Sequence, residues 1–363
     1  MNLSDFLKGK GTAGWAVTTG ALVLFVGMTN IASAKAKCPD VPDPVVSLEF
    51  GSRYKADSKT RSDIDAESDA EVTSVLKSID RFIQGLTRQI GKAQAEDDQK
   101  KQLIMSSCVL NAIHAWAKAD ALSDMRTANA KLAVPSRIGG IAIAYAETRS
   151  MVPGMEAEKQ AIETWLLARA KATMDFFDND ATKGASRNNL RAWASLGVGQ
   201  IGILSKQTEL VDWSIDSNRT MVTGSAADGS IPLEMRRKKY ALHYQLHALT
   251  PLVTSIAMIC DAGYGNGQAD LERLKIIAGF SLNGVRNPKI VEAIAGEAQT
   301  VEPGLKANTE SLAWLEPYAS LTGEKDVNAA LLEIRPLLNS KLGGDVTRIY
   351  GNRHIDCETR TIR

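Results

Sequence analysis

Unbroken helical periodicity constrains this chain more than any other feature. Within Val72–Ile90, the residues Val75, Leu76, Ile79, Phe82, Ile83 and Leu86 recur at spacings of three and four. That spacing puts them on one face of a helix. Comparable patterns run over Lys101–Leu122, Ser136–Arg149, Glu156–Phe177, Asn189–Leu204, Glu209–Met221, Glu234–Ala262, Ala269–Leu282, Ser311–Leu321 and Val327–Leu338. Strand-like alternation is nearly absent. Modest loops carry the Gly, Pro, Asn and Asp expected of turns, as in VPG at 152–154, FDNDATKGAS at 177–186 and YGNG at 264–267. With no linker in sight, the pattern predicts one all-α domain. It fits either a helical bundle or superhelix, or a toroid of helix pairs around a cleft. A repeat of fixed period, the mark of a regular solenoid, is missing.

The chain has 363 residues, enough for a sizeable core, and its 43 basic and 42 acidic residues nearly cancel. That balance excludes a nucleic-acid binder acting through overall charge, so an anion-binding surface must be a local patch. The N-terminus reads as a secretory signal peptide. Lys8 and Lys10 precede a short apolar run, Ala16–Ile31, and Ala32-Ser33-Ala34 offers a small-x-small cleavage site. The alternative is a membrane anchor, but the run is short for a span of roughly 20 residues. The expected division is residues 1–34 as signal and 35–363 as the mature domain, in the periplasm or outside the cell, with no stable membrane span after cleavage. An oxidising compartment favours disulfides among Cys38, Cys108, Cys260 and Cys357. Three pairings are open, and we expect Cys38 with Cys108 and Cys260 with Cys357. No zinc-ligand spacing is present.

The stretch EMRRKKYALHYQLHAL, Glu234 to Leu249, gathers four consecutive cations, two tyrosines and two histidines. Read as one helix at about 100° per residue, it places Tyr244 about 20° from Arg237, with Tyr240 and His247 about 60–80° to one side of that line. Met235, Leu242, Leu246 and Leu249 gather opposite. Taken singly, Arg236, Lys238 and Lys239 read as solvated cations. Arg237 and Tyr244 form a working pair: a carboxylate clamp beside a phenol whose pKa, ordinarily about 10, a neighbouring cation lowers.

Several blocks then resemble one known family, the secreted alginate lyases that cut polymannuronate. CPDVPDP and SLEFGSRYKADS are similar to its N-terminal segment, SSCVLNAIHAWAKADAL (106–122) to its cysteine-containing helix, and RNNLRAWASL (187–196) to its Asn-Asn-His-x-x-Trp motif. IPLEMRRKKYALHYQLHALTPL (231–252) resembles its Arg/Tyr helix, and AWLEPYASL (313–321) and LGGDVTRIY (342–350) its C-terminal blocks. The resemblance covers most of the mature chain and implies an incomplete (α/α) toroid. It also implies β-elimination from a uronic acid polymer without metal or cofactor, acting as a monomer on an anionic polysaccharide and not on nucleic acid. In mannuronate the C5 proton and the leaving oxygen lie on one side of the ring, so one tyrosine can serve as base and then acid.

By this resemblance Tyr244 matches the catalytic tyrosine, Arg237 the arginine seven positions earlier, and Asn189 the asparagine that binds the carboxylate, with Asn188 beside it. Trp193 matches a motif tryptophan able to stack on a sugar. Arg53 and Tyr54 match a Lys-Tyr pair, and Tyr240 and Trp314 are candidate cleft residues. Where the family motif has histidine, this chain has Leu190, and Arg53 stands for lysine. Leucine can neither neutralise a carboxylate nor take a proton. His247, on the polar side one turn past Tyr244, is the expected substitute, with His243 and Arg191 as further options. The alternative function is a lyase fold with altered or lost catalysis that holds an exopolysaccharide during secretion. A hydrolase would need two flanking acids, and no such pair stands out.

Overall fold

The computed structural model describes residues 38–265 and 268–357. The expected signal peptide lies outside the described residues.

Helices dominate. In chain order they are α1 (Ala66–Gln94), α2 (Gln99–Lys118), α3 (Ala128–Ala133), α4 (Pro135–Arg149), α5 (Glu156–Asp175), α6 (Asn189–Ser205) and α7 (Thr208–Thr223). There follow α8 (Pro232–Met235), α9 (Ala241–Asp261), α10 (Gln268–Arg286), α11 (Lys289–Ala295), α12 (Leu315–Thr322), α13 (Lys325–Ile334) and α14 (Val346–Tyr350). The fold is an incomplete (α/α) toroid. Helices α1, α4, α6, α9 and α12 pack in succession, and α2, α5, α7, α10 and α13 lie against them as partners. Sequence explains the layering. Helices α4, α6 and α9 are apolar or small on nearly every side and are buried almost throughout, as inner helices must be. Helix α1 keeps a single apolar stripe, including Val72, Leu76, Ile79, Phe82 and Ile83, and exposes the rest. Asp65 and Asp98 cap α1 and α2 by accepting backbone N–H groups at 2.9 Å.

Two glycine sites position the functional residues. Helices α4 and α6 cross so closely that a Cβ on Gly139 would meet Gly197 Cα at 3.3 Å, and one on Gly197 would meet Pro135 O at 3.2 Å. Near the C-terminus, β3 (Leu338–Asn339) and β4 (Gly344–Asp345) form an antiparallel hairpin that rests on α1 and α4. Its turn needs Gly343 at φ 95° and Gly344 at φ 104°, where other residues are strained. At the other end of the described chain, Ser47–Leu48 pairs in parallel with Asp124–Met125. Disulfides join Cys38 to Cys108 and Cys260 to Cys357.

The structure departs from the predicted helices in two instructive places. The expected helix over Glu234–Ala262 is broken: α8 ends at Met235, Lys238 is left-handed (φ 53°), and α9 starts only at Ala241. Gln299 stabilises the break by serving both freed backbone groups. Its amide donates to Lys238 O (3.0 Å) and its carbonyl accepts from Leu242 N (2.9 Å). The expected helix over Val327–Leu338 stops at Ile334, because Pro336 forces Arg335 into an extended conformation.

Candidate active site

A cleft of about 390 Å³ opens among the N-terminal loop, α4, α6, α9 and the C-terminal hairpin. Arg237 and Tyr244 both line it. The break between α8 and α9 changes how they meet, since they no longer share a helix face. Arg237 sits on the turn and lays its guanidinium over the Tyr244 ring, 3.6 Å from the centroid. Arg237 is buried, and its Nε donates to Arg61 O at 3.1 Å, which fixes the plane of the group.

The loop before α1 supplies the third member. Tyr54 pairs with Ile64 in an isolated bridge, and Asp65 N donates to Arg53 O (2.9 Å), closing residues 53–65 into a small hairpin. Arg237 Nη2 donates to Tyr54 Oη at 2.6 Å, and Tyr54 Oη is hydrogen-bonded to Tyr244 Oη. Because Arg237 can only donate, it occupies an acceptor site on Tyr54 and leaves the Tyr54 proton available for the Tyr244 oxygen.

The expected depression of the Tyr244 pKa is not what the site produces. Burial pushes the phenol well above its ordinary value, and the opposing pull of Arg237 is smaller. At neutral pH Tyr244 is therefore a neutral phenol.

Asn189 starts α6 and is buried, and both its backbone N–H (2.8 Å) and its side-chain amide (2.9 Å) donate to Glu234 Oε1. Glu234 is fully buried and its Oε2 has no hydrogen-bond partner among the described residues. Burial raises its pKa, so this carboxyl favours the protonated form more than a free one would. One turn into α6, Trp193 Nε1 donates to His247 Nε2 at 3.0 Å. That bond uses the Nε2 lone pair and places the imidazole proton on Nδ1. Burial lowers the His247 pKa well below the usual histidine range, with Lys341 and His243 adding to the effect. His247 is thus a neutral N–H donor.

Five cations, Arg53, Arg61, Arg137, Arg237 and Lys341, line the cleft against one acid, Asp69, which is already paired with Arg53 at 2.5 Å. Burial lowers the Lys341 pKa to about 8, and Arg137 adds to this. The site is built to receive negative charge.

The model of the alginate lyase family matches residues 49–291. The chain belongs to the alginate lyase family. It is 29% identical over 329 residues to an alginate lyase of Pseudomonas syringae pv. syringae, covering 87% of this chain and 84% of the relative. Against an alginate lyase of Cobetia marina the identity is also 29%, over 328 residues, with 87% and 84% covered. Among solved structures, alginate lyase A1-III from Sphingomonas species A1 superposes with a TM-score of 0.68 at 22% identity, covering 86% of each chain. A histidine variant of alginate lyase A1-III complexed with tetrasaccharide gives 0.71 at 22% identity, covering 87% of this chain and 86% of that one. These structures agree with the present one in fold.

Within this alginate lyase family member the fold gathers Arg53, Tyr54, Asn189, Trp193, Arg237, Tyr244 and His247 around one cleft, with His243 among its lining residues. Other expected residues fall elsewhere. Trp314 is fully buried and packs edge-on against Tyr318, so it is core and not cleft. Tyr240 is outside the cleft lining, with Lys239 over its ring. Asn188 caps α6, its Oδ1 accepting from Leu190 N at 3.0 Å, and faces an adjoining groove. Arg191 binds Ser217 Oγ (2.9 Å) and Asp178 (3.2 Å) and is not part of the cleft lining. Leu190 lines the cleft and packs with Phe176 and Phe177. Sequence reading missed Glu234, Arg137 and Lys341. Glu234 opens the quoted stretch 234–249 and Lys341 lies two residues before the GG turn, so each had a nearby signal.

Proposed function

We propose that this protein is an exported lyase that cleaves a mannuronate-type polyuronate by β-elimination. The observation that carries the reading is the Arg237–Tyr54–Tyr244 chain facing a cationic cleft. The uronate carboxylate enters among Asn189, Arg237 and the other cations, which draw off the charge that develops when the C5 proton leaves. Tyr244 first yields its own phenolic proton to solvent, and the phenolate so formed takes the C5 proton as base. The Tyr54 hydroxyl, held by Arg237, donates to the phenolate as it forms, and such charge-assisted bonds are roughly twice as strong as neutral ones. Tyr244 then returns the proton to the glycosidic oxygen as C4 departs, leaving an unsaturated sugar. His247 supports the carboxylate as a neutral donor in a motif where Leu190 cannot. Export accords with the two disulfides, which persist in oxidising compartments.

Leu190 favours a second reading, a lyase fold that binds an exopolysaccharide without cutting it. Incubation with polymannuronate, polyguluronate and glucuronan separately, followed by ultraviolet absorbance of unsaturated product, decides between them. Product from one polymer that disappears in Tyr244→Phe supports the lyase. Equal rates for wild type and Tyr244→Phe refute the assigned chemistry, and binding without product supports the second reading.

A further inference from the structure

A second groove, of about 550 Å³, lies along the other side of the turn that carries Arg237. It shares Arg61, Leu190 and Arg237 with the cleft, so the two spaces adjoin. Its lining includes Lys59, Arg61, Arg236 and Lys238, and no carboxylate. Lys238 is paired with Glu297 at 3.1 Å. Lys59, Arg61 and Arg236 are exposed and form no ion pair among the described residues. Two of the cations occupy left-handed backbone positions, Arg61 at φ 52° and Lys238 at φ 53°. Residues other than glycine and asparagine adopt that conformation uncommonly. The turn and the loop are shaped so that cations from both face one channel.

Like charges left together without acids destabilise a bare surface. On a protein of net charge +1 such a cluster is a local feature. Its ligand must be an extended polyanion, because the cations are spread along a channel and not focused on one point. We propose that this groove binds uronate units of the same chain that lie beyond the unit held at Tyr244, through Arg236, Lys59 and Arg61. The proposal rests on the reading of the neighbouring cleft as a polyuronate site. It also reverses the expectation that Arg236 is merely solvated.

Arg236→Ala, Lys59→Ala and the double variant test it, since neither side chain belongs to the catalytic chain. Wild type and variants are assayed on mannuronate oligomers of increasing length at low salt, and polymannuronate binding is measured by calorimetry. The expected result is unchanged kcat/KM on the shortest cleaved oligomer, with a loss of about two- to five-fold per removed cation on long chains. The loss fades as added salt shortens the screening length, and Arg236→Lys retains most of the wild-type value. Loss that is equal at every length, or absent at every length, overturns the proposal. If wild type forms no product from any uronate, the catalytic reading fails. Calorimetry then still decides the groove: weakened polymer binding in the double variant supports it, and unchanged or undetectable wild-type binding overturns it.

Discussion

Tyr54 Oη stands between two partners, accepting from Arg237 Nη2 at 2.6 Å and sharing a hydrogen bond with Tyr244 Oη. The arginine therefore acts on Tyr244 through the intervening phenol as well as through the ring face. Burial alone would hold Tyr244 neutral far above its working range, so a base at this position needs a donor that strengthens as charge appears. Tyr54→Phe removes that donor. A hydrogen bond to a charged group is worth about 1.5–3 kcal/mol, so kcat should fall about 10- to 100-fold. KM should change little. A steady-state pH series on polymannuronate checks this. An unchanged kcat would remove Tyr54 from the mechanism.

His247 should behave as a donor and not as a base. Its pKa is well below the ordinary 6.5, so the activity profile should show no histidine limb near neutrality. Its folding linkage has a definite sign. Below 6.5 the unfolded chain binds a proton that the folded one refuses, so stability is present above that pH and is lost as pH falls. His247→Gln should flatten this acid-side loss while an acceptor for Trp193 Nε1 remains. His247→Ala orphans that N–H, 3.0 Å from its present partner, and should cost about 1–3 kcal/mol in urea unfolding.

Lys341 links substrate affinity to alkaline pH. With a pKa of about 8, it is charged below that value and neutral above it. KM for polyuronate should rise from about pH 8 upward, by roughly tenfold if the ammonium meets a carboxylate. Lys341→Arg should remove the rise, because arginine stays charged. Folding shows the opposite trend. Between about 8 and 10.5 the unfolded chain holds the extra proton, so stability grows with pH across that window. A KM series at constant ionic strength, compared with thermal unfolding in the same buffers, separates the two effects.

Several of the expected residues that line the cleft share a local pattern. Asn189 and Trp193 lie on one face of α6, and Tyr244 and His247 lie one turn apart on α9. Arg237 reached the right neighbour by the wrong route, because a side chain from Gln299, far away in sequence, sets the helix break. Long-range partners leave no periodic trace. Glu234 only opened the stretch read as one helix, yet it is completely buried and held by Asn189 at the start of α6. Trp314 was a candidate cleft residue because aromatic clusters serve cores and clefts equally well. Only the packing of α12 against α9 assigned it to the core.

Glu234 offers the sharpest separation of positioning from chemistry. Its Oε1 takes both Asn189 donors, and its Oε2 has no partner among the described residues. Burial raises its pKa above 4.5, so in the window above that value the folded chain binds more protons than the unfolded one. Stability should therefore decline as pH rises from about 4.5 toward the folded pKa. Glu234→Gln keeps an oxygen for Asn189 and has no charge to bury, so it should abolish that decline and retain most of the activity. Glu234→Leu strands two buried donors, at about 1–3 kcal/mol each, and frees the Asn189 amide to turn from the substrate carboxylate. Its kcat should fall more steeply than its stability accounts for. Urea midpoints at pH 5 and pH 8, set beside product absorbance for both variants, provide the test. Equal activity in Gln and Leu variants would show that Asn189 needs no such support.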